Sequence, residues 1–432
     1  MLEKLFKLKE FNTTPKTEII AGITTFMTMG YILIVNPDIL SVTGMDKGAV
    51  FTATALSAFI ATMVMALYAN KPFTLASGMG LNAFFAFTVV LQMGYSWQFA
   101  LTAVFLEGII FIIMTFFKLR AAIINSIPYN LKKAVSVGIG LFIAFIGLQG
   151  GGVIVHNPAT LVSIGSITSS IALLTLIGLV ITGIMLAKKV KGALLIGIVI
   201  TTVIGIPMGV TNIPANFSIF SLPPSLAPVF FKFDFSNIIS FDMLIVLFTF
   251  LFVDLFDTVG TLIGVSTKAG LVDEKGNLPG VHKALLADAV GTTAGACLGT
   301  STVTTYVESA AGVAEGGRTG LTAFASGILF LLALLFAPLF TMVPSAATAP
   351  VLILVGLFMM SPIKKLNLED YTESIPAFLT IIMMPLTYSI AEGIVFGMVS
   401  YALLKLLTGR GKEVTLVGYI VAILFVLKYL FL

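Results

Sequence analysis

Apolar stretches long enough to cross a bilayer recur along the whole chain, at 19–36, 48–68, 75–91, 97–117, 131–149, 168–187, 192–210, 242–265, 281–298, 304–315, 319–342, 347–361, 374–388 and 391–407. This pattern predicts fourteen membrane spans. A further apolar run, 414–431, follows the basic turn Arg410–Lys412 and reads equally well as an extra span or as an interfacial helix. The segments 75–91, 304–315, 347–361 and 374–388 are short or broken by Gly and Pro. The third and tenth are interrupted by small polar residues, ASGMGLNA and GTSTVTTYVESAAG. β-Branched threonines favour an extended backbone, so the tenth predicts an extended stretch followed by a short helix with Glu308 near its start. Peptide groups inside a membrane must be paired within the protein, and the matching partner is the stretch Phe73–Ser77.

Basic residues check this count. With the amino terminus inside, 21 of the 24 Lys and Arg fall on the cytoplasmic side, as the positive-inside rule requires; Lys47 and Lys232 fall outside and Lys428 lies in the undecided tail. The loop 211–241, with Pro214, Pro223, Pro224 and Pro228, divides the spans seven and seven. Two halves of seven have opposite orientations, the inverted-repeat plan of many secondary transporters. Asn82 lies 64 residues after Glu18 and Glu308 lies 66 after Asp242, so the broken spans occupy matching positions in the two halves. Paired broken segments of this kind point to a midplane site.

Composition agrees: 58% of residues are hydrophobic and 10% charged, with a mean hydropathy of +1.08, against about 25% charge in a soluble domain. The net charge of +4 is scattered over loops and gives no reason to expect nucleic acid. The one cysteine, Cys297, excludes an intramolecular disulfide and reads as a small apolar residue in a span. The basic first 18 residues lead into a span without an evident cleavage site, so no signal peptide is expected. His156 falls in a loop and His282 at the loop end of a span, and no His or Cys cluster suggests a metal or other cofactor.

Three carboxylates change the picture. Asp254, Asp257 and Glu308 fall in spans, with no basic residue in those same spans to neutralise them. A charge at the bilayer centre costs about 2.5–3.5 kcal/mol on insertion scales, and such residues mark ion pathways, proton relays or binding sites. Asp254, Asp257, Thr258 and Thr261 form one polar stripe on a helix. A stripe that only cemented the bundle would need the threonines and not two acids. Asn82 offers a donor and acceptors, while Gly78 and Gly80 permit close backbone approach. Phe84, Phe85, Phe252, Phe256 and Tyr306 flank these groups and could stack on a planar ring. Asp288, in HKALLADAVG, reads as a proton relay or a brace; Glu107 reads as structural, and Glu315 and Glu392 as solvated acids near span ends.

The runs TTFMTMGYILIVNPDIL, GMGLNAFFAF, VDLFDTVGTLIGV and LGTSTVTTYVESAAGVAEGGRTG resemble the AzgA-like adenine/guanine/hypoxanthine permeases. These belong to the nucleobase–cation symporter-2 (nucleobase/ascorbate transporter) superfamily, and the likeness extends from about Thr13 to Leu407. It implies an all-α polytopic fold of fourteen spans in a 7+7 inverted repeat, with core and gate domains and short strands in the broken third and tenth spans. The division expected is a cytoplasmic segment 1–18, core 19–118, gate 119–210, extracellular linker 211–241, core 242–342, gate 343–407 and a tail 408–432. The resemblance implies a plasma-membrane symporter that imports purine bases with protons by alternating access, and it leaves a homodimer open. Asn82, Gly80, Asp254, Glu308 and Tyr306 are the implied substrate-binding residues. Asp257, Asp254, Glu308 and Asp288 are the implied proton-coupling residues. One departure is Ser77, where the family pattern leads us to expect a proline. The alternatives are a uracil or xanthine carrier, a channel, or an intramembrane aspartyl protease, whose tyrosine-aspartate and GxGD signatures are absent. An anion carrier is disfavoured by the site carboxylates.

Overall fold

The computed structural model describes residues 2–116, 128–213, 217–269, 271 and 278–431. Each apolar stretch anticipated above coincides with a helix or, at 75–91 and 304–315, with a strand followed by a helix. Among the described residues, eight helical stretches are long and apolar enough to cross a membrane, accompanied by the shorter apolar helices Met79–Gln92, Ala193–Gly205 and Tyr371–Leu386. Helix starts follow ordinary capping chemistry. Thr14, with Pro15 at the first helical position, caps Pro15–Met29, and Asp46 caps Lys47–Val64 through the Ala49 N–H.

The helices pack as two sets. Pro15–Met29, Lys47–Val64, Trp97–Phe116, Val281–Leu298, Gly320–Ala333 and Phe241–Ala269 make up the first; Tyr129–Gly150, Ser170–Ala187, Ala193–Gly205, Ser345–Met359, Tyr371–Leu386 and Ile390–Leu407 make up the second. Small residues let backbones touch in both, as expected where no water drives helices together. A methyl on Gly140 would stand 2.5 Å from the Gly356 carbonyl oxygen, and one on Gly320 would stand 2.1 Å from the Ala66 carbonyl oxygen.

Two strands, β1 (Leu75–Ser77) and β4 (Val303–Thr305), pair antiparallel inside the first set, with Leu75 opposite Thr305 and Ser77 opposite Val303. The Gly78 N–H donates to the Thr302 carbonyl (2.9 Å) and the Tyr306 N–H to the Thr74 carbonyl (3.1 Å), extending the ladder at both ends. This is the pairing expected between the two broken spans. A second hairpin, β2 (Ile154–Asn157) with β3 (Leu161–Ile164), has no precedent in the hydropathy pattern. The loop from 211 is more than a linker. Ser221 N–H donates to the Leu335 carbonyl, Phe231 N–H to the Cys297 carbonyl, and Thr52 Oγ1 to the Pro224 carbonyl, so this segment lies against the first helix set.

Ion pairing differs from expectation at one place. Lys405, counted above with the loop cations, lies within the helix Ile390–Leu407 and is fully buried. Its Nζ meets Glu413 Oε2 at 2.7 Å and Glu373 Oε1 at 2.9 Å. Arg410 joins the cluster through Asp370 Oδ2 (2.6 Å) and both Glu413 oxygens. Hydrogen bonds from Arg410, then from Thr372, hold the Asp370 carboxyl at about 2; Arg410 and then Lys405 hold Glu413 at about 2. The cluster closes the turn before the helix Leu416–Phe431, which folds back along Ile390–Leu407 through Val414, Tyr419 and Ala422. Phe425 reaches Phe248 with ring centroids 6.0 Å apart. Replacing Lys405 by Met should cost about 2 kcal/mol, the scale of charge-assisted hydrogen bonds, and lower the thermal midpoint of the purified protein by several degrees. An unchanged midpoint would show that the cluster adds nothing.

Candidate functional site

The paired strands deliver two helix starts to one region. After β1 the chain turns into Met79–Ala83 and continues as a π-helical stretch, Phe84–Gln92; after β4 it turns into Ser309–Ala314. π-Helical geometry is rare and frequently marks functional positions. Asn82 lies on the first of these helices and is fully buried, with its Oδ1 accepting a short hydrogen bond from Ser301 Oγ. Its Nδ2, also shielded from solvent, has no hydrogen-bond partner among the described residues. However the amide is turned, Ser301 engages one end of it. A buried donor left unmade costs about 1–3 kcal/mol, so it requires an explanation.

Glu308 stands at the start of Ser309–Ala314, half-buried, and makes no side-chain cap to its own helix. Its Oε1 accepts from Tyr31 Oη at 2.8 Å. Tyr31 comes from the first span, at a break between Pro15–Met29 and Ile32–Ser41. Nothing in the hydropathy pattern singles out this tyrosine.

Asp254 and Asp288 are both fully buried and meet through one hydroxyl. Thr258 Oγ1 lies 3.1 Å from Asp254 Oδ1, 2.9 Å from Asp288 Oδ1 and 2.7 Å from Thr304 Oγ1 on β4. A hydroxyl has one proton to give and two lone pairs to accept with. Thr258 therefore either shares its one proton between the two carboxylates or gives it to one while accepting from the other in its protonated form, with Thr304 as donor or acceptor. Asp257 is half-buried and lies within electrostatic reach of Asp288 and Glu308. The i,i+3 acids therefore share Asp288 as a neighbour, while Asp254 turns to Thr258 and Asp257 also lies near Glu308.

Other expectations fall into place around this frame. Tyr306 is buried and its hydroxyl donates a short hydrogen bond to the Ser77 carbonyl, tying the strands together and leaving its ring and the acceptor side of its hydroxyl for another partner. Ser77, the departure from the family pattern, ends β1 and pairs with Thr300 Oγ1 at 3.0 Å; Thr300 in turn accepts from Asn36. Gly80 faces the second helix set, where an added Cβ would stand 2.8 Å from Ile139 Cγ2 and 4.0 Å from Met359 Cε. Glu107 accepts from Thr302 Oγ1 at 2.6 Å, which fits a bracing role. Glu315 is not simply solvated, because it pairs with Lys191 at 2.5 Å. Phe84 stacks edge-on against Phe250, and Phe84, Phe85 and Phe252 are all buried. The Phe256 side chain lies outside the described residues.

A family model described as "Permease family" matches residues 16–396. The chain belongs to that family. It is a multi-pass membrane transport protein. It is 47% identical over 432 residues to the adenine permease AdeP of Escherichia coli, covering 100% of this chain and 96% of the relative. It is 48% identical over 442 residues to the guanine/hypoxanthine permease PbuG of Bacillus subtilis, covering all of both. Among solved structures, the transmembrane domain of a cyanobacterium bicarbonate transporter, BicA, matches with a TM-score of 0.64 at 17% identity, over 88% of this chain and 97% of that one. Murine Slc26a9, an anion transporter, matches with a TM-score of 0.62 at 11% identity, over 91% and 68%. At such identities the likeness is one of fold.

In this permease the hydroxyl of Thr258 is the piece that joins two buried acids to a strand. Thr258→Val keeps the shape and removes the bridge. We expect near-normal membrane yield with uptake reduced at least tenfold, the effect of about 1.4 kcal/mol or more; normal uptake would show the bridge to be dispensable.

Proposed function

We propose that this permease imports purine nucleobases with protons. A purine is flat, neutral and rimmed by N–H donors and ring-nitrogen acceptors. The observation that carries the reading is a pair of complementary groups at the two helix starts after the strands: the unpartnered Nδ2 donor of Asn82 and the half-buried carboxylate of Glu308. Asn82 Nδ2 suits a ring nitrogen or carbonyl, and Glu308 accepts from an N–H edge. The names of the relatives, adenine and guanine/hypoxanthine permeases, favour the same class of cargo.

In this reading Asp254 lies within reach of the base through its end of the Thr258 bridge and Tyr306 lends its ring; Gly80, expected to bind substrate, instead lets the first helix start lie close against Ile139. The coupled proton resides among Asp254, Asp257, Asp288 and Glu308, with the pair Asp254–Asp288 the foremost place because one hydroxyl, that of Thr258, links the two buried acids. The first helix set, with 19–118 and 242–342, acts as the core that holds cargo. The second, with 119–210 and 343–407, acts as the gate against which the core moves. Fourteen spans in a 7+7 inverted repeat, a cytoplasmic amino terminus and a plasma-membrane location complete the proposal; the charge asymmetry of the loops supports the orientation.

The test is uptake of labelled hypoxanthine, guanine, adenine and uracil by cells lacking their own permeases, with and without an uncoupler. Saturable purine uptake that collapses with the uncoupler is expected. Uptake of uracil alone would refute the cargo, and uptake indifferent to the uncoupler would refute the coupling. Glu308→Gln and Asp254→Asn should each abolish uptake with membrane insertion intact; normal transport by both would refute the site.

A further inference from the structure

Tyr31 is the one group at the site that no role above absorbs. It is 1% exposed, and its ring packs in the main apolar cluster. The backbone on either side is fixed: Gly30 N–H donates to the Phe26 carbonyl at 2.7 Å, and the Tyr31 carbonyl accepts from Ile34 and Val35 at 3.0 Å. The phenol is therefore a rigid donor aimed from the first span at Glu308 Oε1, 2.8 Å away. Glu308, by contrast, has a longer side chain that caps none of the following N–H groups of its helix and is otherwise held only by the N–H of its own residue. A rigid donor meeting a flexible acceptor sets where the acceptor sits.

We propose that Tyr31 is a positioning residue: by occupying Oε1 of Glu308 it leaves Oε2 as the single oxygen offered to the nucleobase. The proposal rests on the nucleobase reading above. With both oxygens free, the carboxyl could rotate and present either to an N–H edge. With Oε1 held, Oε2 has one orientation, and it accepts from the base only while it carries no proton. Tyr31 thereby selects a cargo with an N–H at one place on its rim, and makes base and proton exclude each other at that oxygen.

The experiment is equilibrium binding of labelled hypoxanthine to the purified full chain, with thermal stability measured in parallel. Tyr31→Phe removes only the hydroxyl and should weaken binding about tenfold, the scale of one hydrogen bond to a charged group, with the ligand-free protein still folded at the assay temperature and its midpoint lowered by no more than a few degrees. In a Glu308→Asp background, where the carboxylate is one methylene shorter and beyond the phenol, the same substitution should have no further effect. Tyr31→His, which keeps a ring and a donor, should recover part of the affinity. Unchanged binding in Tyr31→Phe, an equal loss in both backgrounds, or a His variant as weak as Phe would overturn the proposal. Wild-type protein that binds no nucleobase would instead overturn the reading on which it rests.

Discussion

The structure depends on six residues of extended chain paired where a helix would be the easy solution. A bilayer supplies no water to an unpaired peptide group, so a strand inside it survives only with a partner from the same protein. Leu75–Ser77 and Val303–Thr305 are each other's partner. Breaking two spans at matching depth brings two helix starts and their side chains to one place, which continuous helices cannot do. Tyr306 to Ser77, Ser77 to Thr300 and Thr300 to Asn36 then brace the pair with hydroxyls and an amide.

The acids follow the same logic of internal satisfaction, and among the described residues each of four accepts from a hydroxyl. Asp254 and Asp288 share Thr258, Glu308 takes Tyr31, and Glu107 takes Thr302. Hydroxyl partners leave protonation free to change, which is what a carrier that alternates between loaded and empty states needs. Lys405 shows the opposite choice far from this region, where Glu373 and Glu413 surround a buried ammonium and lock the chain end in place.

Much of this was legible in the chain itself. Helical stretches follow from apolar length. The strand pairing follows from threonines and glycines in TSTVTT and ASGMG combined with the rule that buried peptide groups pair. Asp254, Asp257, Glu308 and Asn82 stand out because polar groups are rare in such surroundings. What was not legible depends on contacts between distant segments: Tyr31 looks like any span aromatic until Glu308 is placed beside it, 277 positions away. Thr258 as a bridge needs three elements in register, and Lys405 reads as a loop cation until Glu373 and Glu413 close over it. The hairpin of Ile154–Asn157 with Leu161–Ile164 lay in a connection whose pattern carried no strand signal.

The central claim is that one planar base sits between the two helix starts created by the broken spans. A structure determined with hypoxanthine bound tests it directly. The account predicts the base between Asn82 and Glu308, with Asn82 Nδ2 donating to its rim and Glu308 Oε2 accepting from a ring N–H while Tyr31 keeps Oε1. A base bound elsewhere, or in this place with Asn82 Nδ2 still unengaged, would contradict it.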